Sequence, residues 1–212
     1  PGHFGHNAIW LGTEKQLKEI GMWNSPSIKP YQKDIQKGMS IIETDRSGTH
    51  LKSLEKFMNA DEFAILRFQE GYLEQKREEI YQVAMAQLGK KYDFNFNVET
   101  TDRLVCSELL YQAFGDIKWP TEAYLGRTTI SPDNIVSLSL FQNSPLELKY
   151  YVRGKEDEII YKNMQNLAID IGWQDRARPV YNFDDNDNVP KLHQYEDILE
   201  LVRFPYFPSW LF

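Results

Sequence analysis

The chain has little cysteine: one residue, Cys106, in 212. A single thiol forms no internal disulfide and cannot supply a four-cysteine zinc site, so core packing and chemistry are the uses that remain. Positive charge is also scarce. Lys and Arg number 24 against 31 Asp and Glu, for a formal charge of −7. No basic cluster follows an aromatic platform, so a phosphate backbone would release few counterions on binding and no nucleic-acid partner is expected. No apolar run approaches the roughly 20 residues that cross a bilayer as a helix, and no transmembrane segment is expected in this chain. Neither a signal peptide nor a lipidation motif is visible. The chain begins at Pro1 without an initiator methionine, and any targeting segment is expected upstream of it.

What is present suffices for a core. With 42% hydrophobic and 14% aromatic residues, the chain can bury one domain with a smaller appended unit, and its element pattern is mixed α+β. His6–Gly12 reads as a strand fed by a Gly-rich loop. Thr13-x-x-Gln16 predicts a short capped helix ending at Gly21, followed by an irregular loop over 22–37 whose Trp23 and Tyr31 are expected to cover one side of a site. Strands are predicted at 39–43, 48–52 and 63–68, and a short helix at 53–60 started by Ser53. A helix over 72–88 buries Ile80, Val83, Ala84 and Leu88 and ends at Gly89. Alternation from Tyr92 to Asn97 predicts a strand with one aromatic and one polar face. Ile160, Met164, Leu167 and Ile171 make a helical stripe over 157–171. The aromatic tail 172–212 is expected to dock in a groove. Asp184–Asn188 fails as an EF-hand loop, with Val189 in place of the turn glycine and Tyr195 in place of the closing glutamate, and reads as an acidic surface loop.

Cys106 lies where a short apolar stretch becomes a helical pattern through Leu109, Leu110, Ala113 and Phe114. A thiol at a helix N-terminus meets unpaired N–H groups and the positive end of the dipole, which favour thiolate. From this segment alone, a cysteine buried as a small hydrophobe reads equally well. A partner base decides between them. Of the four histidines, His6 stands at the mouth of the first strand, held yet reachable. His3 reads as exposed in the Gly-rich lead, and His50 and His193 as solvated surface positions.

The runs P-G-H-F-G-H-N-A-I-W-L-G, I-I-E-T-D-R-S-G-T-H, L-G-K-K-Y-D-F-N-F-N and V-C-S-E-L-L-Y together resemble the permuted papain-like amidases, the YiiX/YaeF-like branch of the cell-wall cysteine peptidases. Residues 1–136 carry the resemblance. It implies a papain-like, NlpC-type core, circularly permuted so that histidine precedes cysteine, with an antiparallel sheet packed against helices. Residues 1–136 would form that catalytic core and 137–212 a helical or irregular C-terminal extension packed on it. The resemblance also implies Cys106 as nucleophile, His6 as general base and Glu43 as the group orienting the imidazole. A thiol attacks an acyl carbon as thiolate, a neighbouring imidazole carries the proton, and a third acceptor fixes the tautomer. Glu43 reads as the end of an apolar strand, and Asp45 two residues on is the alternative. Tyr92 is implied as a substrate-binding residue and a second oxyanion donor beside the Cys106 backbone N–H; a packed aromatic fits the pattern as well. Glu108 complements the helix N-terminus. This chemistry calls for no cofactor and no metal.

The expected activity is hydrolysis of amide or peptide bonds through a thioacyl-enzyme, on small peptide, amide or cell-wall-derived substrates. Papain-like acyl transfer on lipid or N-acyl substrates and a non-catalytic binding module are the alternatives. A bacterial, extracytoplasmic setting goes with the first.

Overall fold

The apolar run after His6 forms β1 (Ala8–Trp10), with Ile9 and Trp10 buried. The computed structural model describes residues 2–69, 76–93, 103–124, 126–156 and 158–182. The chain turns at Gly12 into α1 (Glu14–Glu19), where Thr13 and Gln16 form the reciprocal capping box their spacing predicts. The expected irregular loop over 22–37 is more ordered than its prolines suggested. Pro30 lies in the first turn of a 3-10 segment (Lys29–Tyr31), where its missing N–H costs nothing, and this runs directly into α2 (Gln32–Gln36).

β2 (Ile41–Asp45) pairs antiparallel with β1 on one side and with β3 (Gly48–Lys52) on the other. Glu43 therefore sits mid-strand, opposite Ala8 and His50, and does not end its strand. Pairing of Thr44 with Thr49 and of Asp45 with Gly48 carries β2 past it. At Gly48 (φ +107) a Cβ would come 2.4 Å from the carbonyl oxygen of Lys90, so only glycine lets the hairpin close onto the segment before Tyr92. The Thr49 N–H donates to that carbonyl at 2.8 Å.

Ser53 caps α3 (Leu54–Phe57), and β4 (Glu62–Phe68) follows. α4 (Arg77–Met85) buries Ile80, Tyr81, Ala84 and Met85; the earlier part of the helix expected from 72 falls largely outside the described residues. β5 (Lys91–Tyr92) pairs in parallel with β6 (Arg103–Leu104), and the strand expected onward to Asn97 also lies outside them. α5 (Cys106–Ala113) buries Leu109, Leu110 and Ala113 and packs on α4, β1 and β2. Each such leucine or isoleucine contributes about 1.5–3 kcal/mol by leaving water.

Two elements reverse the sequence expectation. After the hairpin β7 (Glu122–Tyr124) and β8 (Arg127–Thr129) and helix α6 (Pro132–Ser137), residues 146–155 form the long strand β9 (Leu146–Lys155). The stripe assigned to one helix over 157–171 divides into β10 (Glu158–Lys162) and α7 (Met164–Asp170). Asn163 separates them by accepting the N–H groups of Gln165 and Asn166, so Ile160 belongs to a strand and its helical spacing is accidental. A second sheet, β10-β9-β4, results. In place of one antiparallel sheet, the described residues hold two three-stranded antiparallel sheets, the parallel pair β5-β6 and the hairpin β7-β8. Of the tail, Tyr181 is buried and its hydroxyl accepts the Lys118 N–H at 3.0 Å. Asp184–Asn188, His193 and the terminal aromatics lie outside the described residues.

Candidate active site

The segment leading to His6 is tied down at its start. Both carboxylate oxygens of Asp133, in the first turn of α6, accept backbone N–H groups, from His3 at 2.7 Å and Phe4 at 2.8 Å. A Cβ on Gly2 would meet Asp133 Oδ2 at 2.5 Å, so glycine permits that approach. His3 is not exposed, as its Gly-rich surroundings suggested. Its Nε2 lies 3.0 Å from the Tyr151 hydroxyl and 3.3 Å from Glu62 Oε2, in an ionic cluster with Lys162, Arg153 and Asp170. Burial and the hydrogen bonds among these groups hold the Tyr151 hydroxyl far above the usual phenol range, while Glu62 falls to about 2 because bonds from Lys162, Tyr151 and Arg153 outweigh its desolvation.

Three residues after His3, His6 places Nε2 2.8 Å from Oε2 of Glu43. Glu43 is 0% exposed, and a carboxylate so buried stays charged only if it is paired. Its other oxygen, Oε1, lies 2.6 Å from Lys52 Nζ and 3.2 Å from His50 Nε2. Burial alone would raise the Glu43 carboxyl, yet bonds from His6 and Lys52 bring it below the ordinary range. His50 is accordingly half-buried against the site and is not a freely solvated surface residue. Asp45 plays another part: its Oδ1 accepts the Ser47 N–H at 2.8 Å in the turn between β2 and β3.

Cys106 opens α5, where the sequence placed it. With His6 Nε2 engaged by Glu43, Nδ1 is the ring nitrogen left to serve the Cys106 thiol. Desolvation opposes a charged thiol, but the His6 hydrogen bond and charge, the Asn7 backbone N–H and the Ser107 hydroxyl together hold Cys106 below the usual thiol range. Desolvation would likewise lower His6; bonds to Cys106 and Glu43, and their charges, raise it to about 9. Thiolate and imidazolium are thus the favoured pair between the lowered thiol value and about 9.

Asn7 escaped the sequence reading. Its Nδ2 donates to the Cys106 carbonyl at 3.1 Å, and its Oδ1 accepts from Ser107 Oγ at 2.9 Å. This side chain joins the first turn of α5 to the lead-in of β1. Its position next to His6 was the one available signal. Tyr92 is half-buried near enough for the Cys106 charge, after burial, to raise its phenol. Trp23 is buried in the core and Tyr31 lines a groove with Met85 of α4 and Ala86 just beyond it, so the 22–37 segment is not the cover expected for the site. A mainly apolar cavity of about 460 Å³ lies beside His6, walled by Ala8, Trp10, Ile41, Phe57, Ile65 and Leu110.

Two trios among the described residues could share a cation, His3–Glu62–Asp170 and Glu43–Asp45–His50. A lysine already pairs with a carboxylate of each. Lys162 Nζ lies 2.7 Å from Glu62 and 2.6 Å from Asp170, and Lys52 holds Glu43.

Glu108 is 1% exposed, and its Oε2 accepts the Val105 N–H at 2.8 Å, closing the start of α5. Burial, with the Asp93 charge adding to it, raises this carboxyl from 4.5 to about 7. The folded state then binds the proton more tightly than the unfolded chain. Stability is full below pH 4.5 and falls as pH rises toward about 7, by about 3 kcal/mol at 1.36 kcal/mol per unit. Glu108→Gln should flatten that slope; urea midpoints measured at pH 4.5 and 7.5 check it, and an unchanged slope would refute the assignment.

Comparison with protein-family models matches residues 1–169 to the family described as permuted papain-like amidase enzyme, YaeF/YiiX, C92 family. The matched span extends past residue 136, through β9, β10 and nearly all of α7. No curated protein and no solved structure matches the chain. The described α+β architecture, with its antiparallel sheets and helices, is consistent with a papain-like family, whose name implies an amidase or peptidase. By that match, the chain belongs to the permuted papain-like amidases of the YaeF/YiiX group.

Proposed function

We propose that this protein is a cysteine hydrolase of amide or peptide bonds in which Cys106 is the nucleophile, His6 the general base and acid, and Glu43 the orienting carboxylate. The observation that carries the reading is the buried Glu43 carboxylate 2.8 Å from Nε2 of His6, whose hydrogen bond and charge lower the Cys106 thiol at the start of α5. The thiolate attacks the acyl carbon, and the developing oxyanion meets the Cys106 backbone N–H at the start of α5, with Tyr92 as second donor and substrate contact. As the C–N bond breaks, the imidazolium gives its proton to the departing amine, leaving a thioacyl-enzyme. Water then adds to the thioester while His6 takes its proton, and expulsion of the thiolate releases the acid. Glu43 keeps Nε2 protonated and stabilises the imidazolium at each stage.

The order His6 before Cys106 supports a circularly permuted, NlpC-type core within 1–136. Residues 137–212 are then an extension, whose described part joins the core through the β4–β9 pairing. Small peptides and amides, cell-wall-derived peptides first among them, are the proposed substrates, in a bacterial extracytoplasmic setting. The test is a panel of peptidoglycan-derived peptides and N-acyl amines incubated with wild type and Cys106→Ala. Turnover by wild type alone is expected. Equal product release by both proteins would remove Cys106 from the reaction, and binding by both with no turnover would favour the binding-module alternative.

A further inference from the structure

Glu43 is the most enclosed charged group at the site, and His6 alone does not complete its contacts. On β3, His50 stands opposite Glu43, while Lys52 lies opposite Ile41. Side chains two apart on a strand share a face, so His50 and Lys52 both reach the Glu43 side of the sheet. Lys52 comes closer: its Nζ is 2.6 Å from Oε1, against 3.2 Å for His50 Nε2. An ammonium keeps its charge throughout the neutral range, whereas an ordinary imidazole does not.

We propose that Lys52 is a positioning residue for the Cys106–His6 pair: its ammonium holds Oε1 of Glu43 and thereby keeps Oε2, ionised, on Nε2 of His6. This rests on the reading of Cys106 and His6 as nucleophile and base. Four groups in line then alternate in sign, thiolate, imidazolium, carboxylate and ammonium, so the buried carboxylate serves the imidazolium without leaving an unpaired charge. Among the described residues, the titratable groups facing Glu43 are His6 from the lead-in of β1 and His50 and Lys52 from β3. Asp45 of β2 reaches it through His50 at 3.9 Å, and Cys106 of α5 through His6.

The experiment is the pH profile of Cys106 alkylation by iodoacetamide, which needs no substrate, in wild type, Lys52→Met, Lys52→Arg, Glu43→Gln and the Lys52→Met/Glu43→Gln double variant, with thermal melts to verify folding. Lys52→Met should move the acidic limb upward, by less than the about 1–3 pH units that loss of an adjacent opposite charge moves a carboxyl such as Glu43 itself, because the effect reaches the thiol through His6. Lys52→Arg should restore it. In the Glu43→Gln background, Lys52→Met should add no further shift, because its effect passes through Glu43. A Lys52→Met profile matching wild type, or an equal shift with and without Glu43, overturns the proposal while leaving the nucleophile and base in place. A wild-type profile that His6→Ala leaves unchanged contradicts the thiol–imidazole pairing itself, and Lys52's role fails with it.

Discussion

At pH 6, His6→Ala slows alkylation of Cys106 by iodoacetamide about 100-fold, because a thiol with an ordinary value near 8.5 is only about 0.3% thiolate there, with its higher intrinsic nucleophilicity recovering part of the loss. The wild-type thiol is held below its usual range by the His6 hydrogen bond and charge, with smaller help from Asn7 and Ser107. Those smaller contacts survive the substitution, so some depression remains and the loss stays short of the full ratio of thiolate fractions. The difference closes at high pH. His6 loses its proton near 9, the imidazolium disappears, and the two proteins converge in labelling rate. Stopped-flow alkylation from pH 5 to 10 measures both limbs; equal rates at pH 6 would count against an ion-paired thiolate.

Glu43→Gln should lower kcat on the order of 10²- to 10⁴-fold while the fold and the thiol remain, since an amide can hold the imidazole without stabilising its charged form and can present the wrong dipole to Nε2. The carboxylate is fully enclosed and 2.8 Å from the ring, so no water can replace its charge at that distance. Asp45→Asn should stay within a few-fold of wild type, because Asp45 is spent on the Ser47 turn. Steady-state kinetics on any substrate the panel yields decides the point. A fully active Glu43→Gln together with an inactive Asp45→Asn would move the orienting role two residues on.

The places of the candidate site residues in the fold were more legible than the framework that carries them. Cys106 could be placed because helix starts leave a local signature, and His6 because a strand mouth follows a glycine-rich lead. Glu43 was found on the right strand but at the wrong point along it, since the turn residues Asp45-Arg46-Ser47-Gly48 hid the two further pairs that extend β2. Lys52, His50 and Asn7 were not legible as members of the site. Their contacts depend on strand register and on the crossing of α5 over β1, which no local pattern encodes. β9 failed to register for a related reason. A register shift opposite Ile65 and Leu66 breaks its alternation, so Lys149 and Tyr150 fall consecutively on the exposed side. The accidental helical stripe over 157–171 shows the reverse hazard, with a strand and a helix lending apolar residues to a period that neither follows throughout.

The claim that Cys106 carries the acyl group is tested most directly by quenching the reaction with the first turned-over amide during its early seconds and mapping the protein by mass spectrometry. The expected result is an acyl adduct on the peptide containing Cys106 that forms and decays with turnover, is removed by hydroxylamine, and is absent from Cys106→Ala. Turnover with no adduct at any time, unaffected by Cys106→Ala, would contradict it.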